Sequence, residues 1–111
     1  MSKYRNHPTV VDNTTFASRA EATRYMELKL LERAGHITDL ELQPKFPFDV
    51  KGHRVGKYIA DFLYRDADGR LIVEDVKSPI TAKNPLFRLK AKLFKAIYGF
   101  DVTLVGKGVH S

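Results

Sequence analysis

The sequence predicts a single α/β domain in which a mixed sheet is flanked by helices. Two helix-forming segments, residues 18–34 and 84–98, are each followed by a glycine suited to a helix C-terminus. Three strand-like segments lie between these helices, and a fourth follows the second helix. A tight turn joins antiparallel strands, whereas a helical crossover joins parallel ones, so the order helix, three strands, helix, strand predicts a mixed sheet.

The elements can be justified in chain order from the N-terminus. Residues 1–15 are polar and without period, so we expect a flexible basic arm carrying Lys3, Arg5 and His7, followed by the domain at 16–111. The first helix begins after Ser18, a favoured N-cap residue, and ends before Gly35.

The strands are predicted from alternation and turn residues. The stretch "HITDLELQPKFPFDV" alternates, but its two prolines restrict it to an edge or irregular strand. The aromatic stretch "KYIADFLYR" and the apolar "LIVEDVKS" flank "DADGR", whose Asp-Gly pair predicts a hairpin turn. A loop bracketed by two prolines leads to the second helix, and "FDVTLVG" is the last strand.

Composition narrows the class of protein. The 111 residues are 43% hydrophobic, which supports one core, and they include no cysteine, so disulfides and thiolate metal sites are excluded. No apolar run reaches the roughly 20 residues of a membrane span and no secretory signal is recognised, so we expect a cytoplasmic protein. A net charge of +6 favours a polyanionic partner such as nucleic acid, or only a lysine-rich surface.

Charged residues end the otherwise apolar strand "LIVEDVKS". Alternation places Asp75 and Lys77 on one face and Glu74 and Val76 on the other. A simple salt bridge between Asp75 and Lys77 would explain why these two charges share a face. Asp61, however, lies within the apolar "YIADFLY", and counting outward from the turn places it opposite Asp75.

Two facing carboxylates in apolar surroundings suit a shared cation. Burying an unpaired carboxylate is costly, and a divalent ion between Asp61 and Asp75 would remove that cost. Hard oxygen ligands favour Mg²⁺, with Mn²⁺ as a substitute, over zinc. The four histidines are scattered and lack the spacing of a zinc site, so they are predicted to lie on the surface. Lys77 beside such an ion, on a basic protein, points to phosphodiester hydrolysis.

Glu21 is the third candidate carboxylate. It lies near the start of the first helix, three residues after Ser18, so it either completes a capping box or faces the two aspartates. The sequence leaves both roles open.

The acids and the lysine, in this element order, resemble the PD-(D/E)XK nuclease superfamily from about residue 15 to residue 105. The superfamily's motif residues fall on Glu21, Asp61, Asp75 and Lys77, with Ala60 in place of the proline of the name. The stretches "FASRAEATRYMELKLLERAG", "KYIADFLY" and "LIVEDVKS" are also similar to small phage-borne proteins and to archaeal-type Holliday junction resolvases, which usually have Glu where Asp75 stands.

This resemblance implies a restriction-endonuclease-like αβββαβ core and a Mg²⁺-dependent DNA endonuclease, usually a homodimer. The ion would be held by Asp61, Asp75, the Val76 carbonyl and Glu21, and Lys77 would assist the attacking water. The favoured substrate is branched DNA such as a four-way junction in phage recombination or replication, within the host cytoplasm. A flap or duplex nuclease, a DNA-binding module without cleavage, and a structural protein with a buried salt-bridge network are the alternatives.

Further residues are candidates for contact with DNA. On the second helix, the apolar stripe is predicted to centre on Leu86, Leu93 and Ile97, with Lys90 inside it. The remaining candidates are Arg88, Lys92 and Lys95 on the opposite stripe, Arg19 and Ser78 as phosphate contacts, and Gln43 as a possible border of the site.

Overall fold

The computed structural model describes residues 8–106. Its elements, in chain order, are β1 (Thr9–Val11), β2 (Thr14–Phe16), α1 (Arg19–Arg33), β3 (Thr38–Leu42), β4 (Lys45–Val50), β5 (His53–Ile59), β6 (Phe62–Arg65), β7 (Leu71–Val76), α2 (Pro79–Ala82), α3 (Pro85–Tyr98) and β8 (Thr103–Val105).

The central sheet has four strands in the order β3-β6-β7-β8. The β3–β6 and β6–β7 pairs are antiparallel, and β7–β8 is parallel because a helical crossover joins them. The predicted turn closes β6 and β7, with the carboxylate of Asp66 accepting the backbone N–H groups of Asp68 and Arg70, both at 2.9 Å. The structure thus confirms an α/β fold with a mixed sheet and helices.

The sheet separates two apolar clusters, one on each face. On the first face α1 packs its buried Ala22, Tyr25 and Leu28 against the sheet. On the second face, Phe94 of α3 and Tyr58 of β5 pack around Val73. Side chains at the end of β7 therefore enter different environments according to whether their number is odd or even.

A hairpin of β4 and β5, absent from the sequence prediction, forms a separate two-stranded sheet. Lys51 and Gly52 form its two-residue loop with φ of 49° and 81°, the positive values that such a tight hairpin requires. The predicted continuous strand over residues 57–65 is consequently wrong. It breaks at Ala60 and Asp61, where the chain leaves β4 and joins the central sheet.

The N-terminal segment also contains structure that the sequence did not predict. Residues 1–7, with the basic residues of the predicted arm, lie outside the described residues. Residues 9–16 form a hairpin rather than an irregular segment, because Asp12 and Asn13 adopt φ of 50° and 62° and allow a two-residue turn. Phe16 then enters the cluster beneath α1 and contacts the ring of Tyr25 at 5.0 Å between centroids.

The two long helices match their predicted positions, but the apolar face of α3 differs. Phe94 is fully buried on this face, whereas Leu86 and Ile97, predicted at its centre, are exposed. The cause is that Phe94 packs its ring against the rings of Phe46 and Tyr58 on the β4–β5 hairpin, which turns this side of α3 inward. The proline-bracketed segment contains a one-turn helix, α2, rather than only a loop. Within residues 8–106 no helix is long and apolar enough to cross a membrane.

Candidate active site

Asp61 and Asp75 meet at the end of the β6–β7 pair, as the sequence predicted. The register that pairs Phe62 with Glu74 continues to bring the two aspartates side by side. The backbone N–H of Asp61 donates to Oδ1 of Asp75 at 3.1 Å, and Oδ2 of Asp61 accepts from the backbone N–H of Val76 at 2.7 Å. Each carboxylate is therefore fixed by the backbone of the other strand.

Asp75 is costly to ionise at this position in the sheet. Burial, followed by the charge of Asp61, raises the pKa of Asp75 to about 7, although a hydrogen bond from Tyr58 and the charge of Lys77 oppose the shift. Asp75 is only 3% exposed. Asp75 therefore resists ionisation near neutral pH, mainly because it is buried and also because a second carboxylate lies beside it.

Tyr58 is a site residue that sequence reasoning missed. Its phenol donates a hydrogen bond to Oδ2 of Asp75, and burial together with the Asp75 charge raises the pKa of Tyr58. In an unbroken strand, alternation would have pointed Tyr58 away from Asp61. Only the break at Ala60 and Asp61 lets both side chains serve one face, so no local signal in the sequence identified it.

Lys77 lies beside the carboxylates with its backbone and its side chain both held. Its ammonium is 3.9 Å from Oδ2 of Asp75 and 4.5 Å from the centre of the Phe87 ring. Its backbone N–H donates to the Val105 carbonyl at 2.9 Å. Because Gly106, with φ of 151°, passes directly over the Lys77 peptide, a Cβ there would overlap the Lys77 carbonyl oxygen.

Glu21 approaches this group from α1, on the other face of the sheet. Burial and then the charge of Asp61 raise its pKa, while Lys77 and a backbone hydrogen bond from Ala17 lower it. The Glu21 backbone N–H donates to Oγ of Ser18 at 3.2 Å, which is the first half of the predicted capping box. Glu21 therefore contributes to the capping of the first turn of α1 through its backbone, and its side chain interacts electrostatically with Asp61 and Lys77.

Glu74, adjacent to Asp75, belongs to a different network on the opposite face. Its two carboxylate oxygens accept from Nε and Nη2 of Arg24, both at 2.8 Å, and Oε2 also accepts from the phenol of Tyr64. Glu74 is 1% exposed, and its contacts leave it a structural anchor between β7 and α1. This agrees with the face assigned to it by alternation.

The remaining predicted residues lie at different distances from the carboxylates. Lys90 lines the cavity that contains Asp75 and Lys77. Gln43 borders Asp61 through its backbone, whose N–H donates to the Asp61 carbonyl at 3.0 Å. Ser78 caps α2 by accepting from the Thr81 N–H at 3.1 Å.

Among residues 8–106, no hydrogen bond or ion pair brings the other basic candidates to the carboxylates. Lys95 pairs with Asp101 at 3.2 Å, and Arg88 and Lys92 line a shallow surface recess on α3. Arg19 is exposed at the first turn of α1. Among the histidines, His36 and His53 are exposed as predicted, whereas His7 and His110 lie outside the described residues.

The donor set is compatible with a hard divalent cation, although it is not a complete cage. Among residues 8–106, no three His, Cys, Asp or Glu side chains come together closely enough to hold a metal ion. Two adjacent carboxylates, one of them with a raised pKa, nevertheless match the one or two carboxylates with which proteins commonly bind Mg²⁺. The arrangement can attract a cation and, with Lys77, a phosphate group.

Comparison with known proteins identifies a family. A family profile described as "Protein of unknown function (DUF1064)" matches residues 1–107. Neither curated proteins nor solved structures gave a match. Since the match covers nearly the whole sequence, this chain belongs to the DUF1064 family.

Proposed function

We propose that this protein is a metal-dependent DNA endonuclease with a PD-(D/E)XK-like core. The observation that carries the proposal is the side-by-side placement of Asp61 and Asp75 next to Lys77, at the end of a buried strand pair. A carboxylate pair held in this way costs stability, as the raised pKa of Asp75 indicates, so it calls for a function.

The sheet order supports the same proposal. An α-helix, a three-stranded antiparallel meander, a helix and a parallel fourth strand follow one another, with the β4–β5 hairpin inserted in the meander. This order is compatible with the αβββαβ core that the resemblance implies. Glu21 lies on α1, Asp61 directly precedes β6, Asp75 lies near the end of β7, and Lys77 directly follows it, which is compatible with the proposal.

Each side chain has a definite task under this proposal. Asp61 and Asp75, with the Val76 carbonyl and Glu21 beside them, would hold Mg²⁺ or Mn²⁺. Such an ion, when bound, supplies positive charge that polarises a phosphate and lowers the pKa of a water molecule. Tyr58 holds Oδ2 of Asp75 in place, and Phe87 fixes the Lys77 ammonium. The Lys77 ammonium can then orient the attacking water or neutralise charge developing on the phosphate.

A DNA-binding module without cleavage is the second candidate. It is favoured by the absence, among residues 8–106, of three metal-ligating side chains in one group. In that case Lys77, Lys90 and the other lysines would bind phosphates, and the aspartates would be part of the fold alone.

A cleavage assay with labelled DNA separates the two candidates. The purified protein is incubated with a four-way junction, a flap and a plain duplex, in Mg²⁺ and in EDTA. Asp75→Asn and Lys77→Met should each lose at least about a hundredfold in cleavage rate while still binding DNA. Asp68→Asn, at the exposed hairpin turn, serves as a matched control and should cleave like the wild type.

The pattern of products then assigns the substrate. Paired nicks at the junction alone require two sites in a fixed relation, so they would support a junction resolvase that works as a C₂ homodimer. Equal cleavage of flap or duplex would keep the nuclease and exclude junction specificity. Binding without cleavage of any substrate would instead favour the second candidate, and absence of both would contradict both candidates.

A further inference from the structure

A cavity of about 370 Å³ opens beside Asp75 and Lys77, between β5 and the first half of α3. Its volume lies at the lower end of the range of about 300–1,000 Å³ typical of small-ligand sites. The side chains that matter here are Lys57 and Ile59 from β5, Leu86 and Lys90 from α3, and Asp75 and Lys77 at its inner end.

The cavity is strongly basic. Lys57, Lys77 and Lys90 all line it, against the single carboxylate of Asp75. Lys77 is already paired with Asp75, but neither Lys57 nor Lys90 forms an ion pair with any residue between 8 and 106. Two unpaired ammonium groups at the rim of a cavity suit the phosphates that flank a nucleotide.

The same cavity exposes aliphatic surface. Leu86 is 59% exposed and Ile59 is 44% exposed, although both line a site that also contains charges. Phe87 lines the site as well, but the Lys77 ammonium covers its ring, so the aliphatic pair provides the free apolar surface. A continuous duplex presents its sugars, its phosphates and the edges of its bases to a protein surface, whereas an unpaired nucleotide also presents the apolar faces of its base.

We propose that this cavity binds an unpaired deoxynucleotide adjacent to the scissile phosphate. The base lies against Ile59 and Leu86, and Lys57 and Lys90 bind the neighbouring phosphates. This inference rests on the proposed nuclease function and specifies its substrate class: DNA with unpaired nucleotides, at a branch, flap or end, is preferred over continuous duplex.

Equilibrium binding in EDTA tests the inference without cleavage. Fluorescence anisotropy is recorded at one salt concentration with a short oligothymidine, a duplex carrying the same number of phosphates, and an oligouridine. The variants are Leu86→Ala and Leu89→Ala. These leucines lie on the same helix and are 59% and 54% exposed, but only Leu86 lines the cavity, so Leu89→Ala is a matched control. Melting curves check that both variants fold.

The expected result is tighter binding of oligothymidine than of duplex by the wild type. Leu86→Ala should weaken oligothymidine binding about fivefold and leave duplex binding unchanged, because it removes apolar surface that a base would cover. Leu89→Ala should behave like the wild type. Equal binding of duplex and oligothymidine, or equal effects of the two substitutions, would overturn the inference, and tighter binding of oligouridine would overturn the assignment to DNA.

The same probes distinguish this inference from the proposed function. Cleavage of duplex as fast as of unpaired DNA in Mg²⁺, with no effect of Leu86→Ala, would leave the nuclease intact and remove the nucleotide cavity. A preference for oligothymidine that depends on Leu86, with no cleavage of any DNA, would keep the cavity as a binding site and remove the nuclease.

Discussion

The phenol of Tyr58 donates a hydrogen bond to Oδ2 of Asp75, linking the β4–β5 hairpin to the central sheet. The hairpin therefore packs against α3 and also helps to set the orientation of Asp75, one of the candidate metal ligands. The other oxygen of Asp75 accepts from the Asp61 backbone, so both oxygens have a defined partner.

Neutralising Glu74 should destabilise the folded protein, whereas neutralising Asp75, its neighbour in the chain, should stabilise it. Glu74→Gln removes the buried negative charge that pairs with the partly exposed Arg24, so it should lower the free energy of unfolding by about 3 kcal/mol. Asp75→Asn removes one of two adjoining charges, so in EDTA at pH 8 it should raise Tm by about 5 °C. Thermal melts of both variants measure this, and a loss of stability of similar size in both would contradict the assigned roles.

Stability in the absence of metal should fall as the pH rises. The pKa of Asp75 is about 7 in the folded protein and about 3.9 in an unfolded chain, so the folded state binds the extra proton between these values. The proton on Asp75 therefore contributes its full stabilisation of the folded state below about pH 4, and this contribution is lost as the pH rises through 7. Denaturant melts from pH 4 to pH 8 should show the decline in the wild type and less of it in Asp75→Asn. Parallel curves for the two proteins would refute the assignment.

Tyr58→Phe isolates the hydrogen bond to Asp75. The ring remains buried against the rings of Phe46 and Phe94, so the fold should be retained with a loss of stability of about 1 kcal/mol. Cleavage in Mg²⁺ should fall about tenfold, because Asp75 loses a fixed orientation. The concentration of Mg²⁺ at half-maximal rate should rise in parallel. An unchanged metal requirement would show that the phenol serves only the packing of the hairpin.

Gly106→Ala tests whether the end of β8 positions Lys77. The added methyl group would meet the Lys77 carbonyl, and φ of 151° is strained for alanine, so the Lys77 backbone must shift. We expect cleavage to fall at least about tenfold, with DNA binding in EDTA unchanged. Gly69→Ala also carries a positive φ, at 82°, but its Cβ would lie in open space, so it controls for backbone strain alone. Equal losses of activity in both variants would remove the positioning role.

Local sequence signals predicted most of the main elements and part of the site. Both long helices begin after a capping side chain and end before a glycine, information contained within a few residues. The Asp-Gly turn fixed the register of β6 and β7, and with it the juxtaposition of Asp61 and Asp75 and the opposite face of Glu74. These predictions succeeded because a turn and an alternation of period two determine them without reference to distant residues.

The predictions that were wrong concern features that depend on contacts between residues far apart in the sequence. The strand predicted over residues 57–65 changes partners at Asp61, and this switch turns Tyr58 toward Asp75. The buried face of α3 is chosen by the aromatic side chains of a hairpin some forty residues earlier, near Phe46. The sequence by itself determined which residues carry charge beside a buried strand. Tertiary structure decided which residues surround them, because a period-two pattern assigns a face only while the strand keeps one partner, and here it does not.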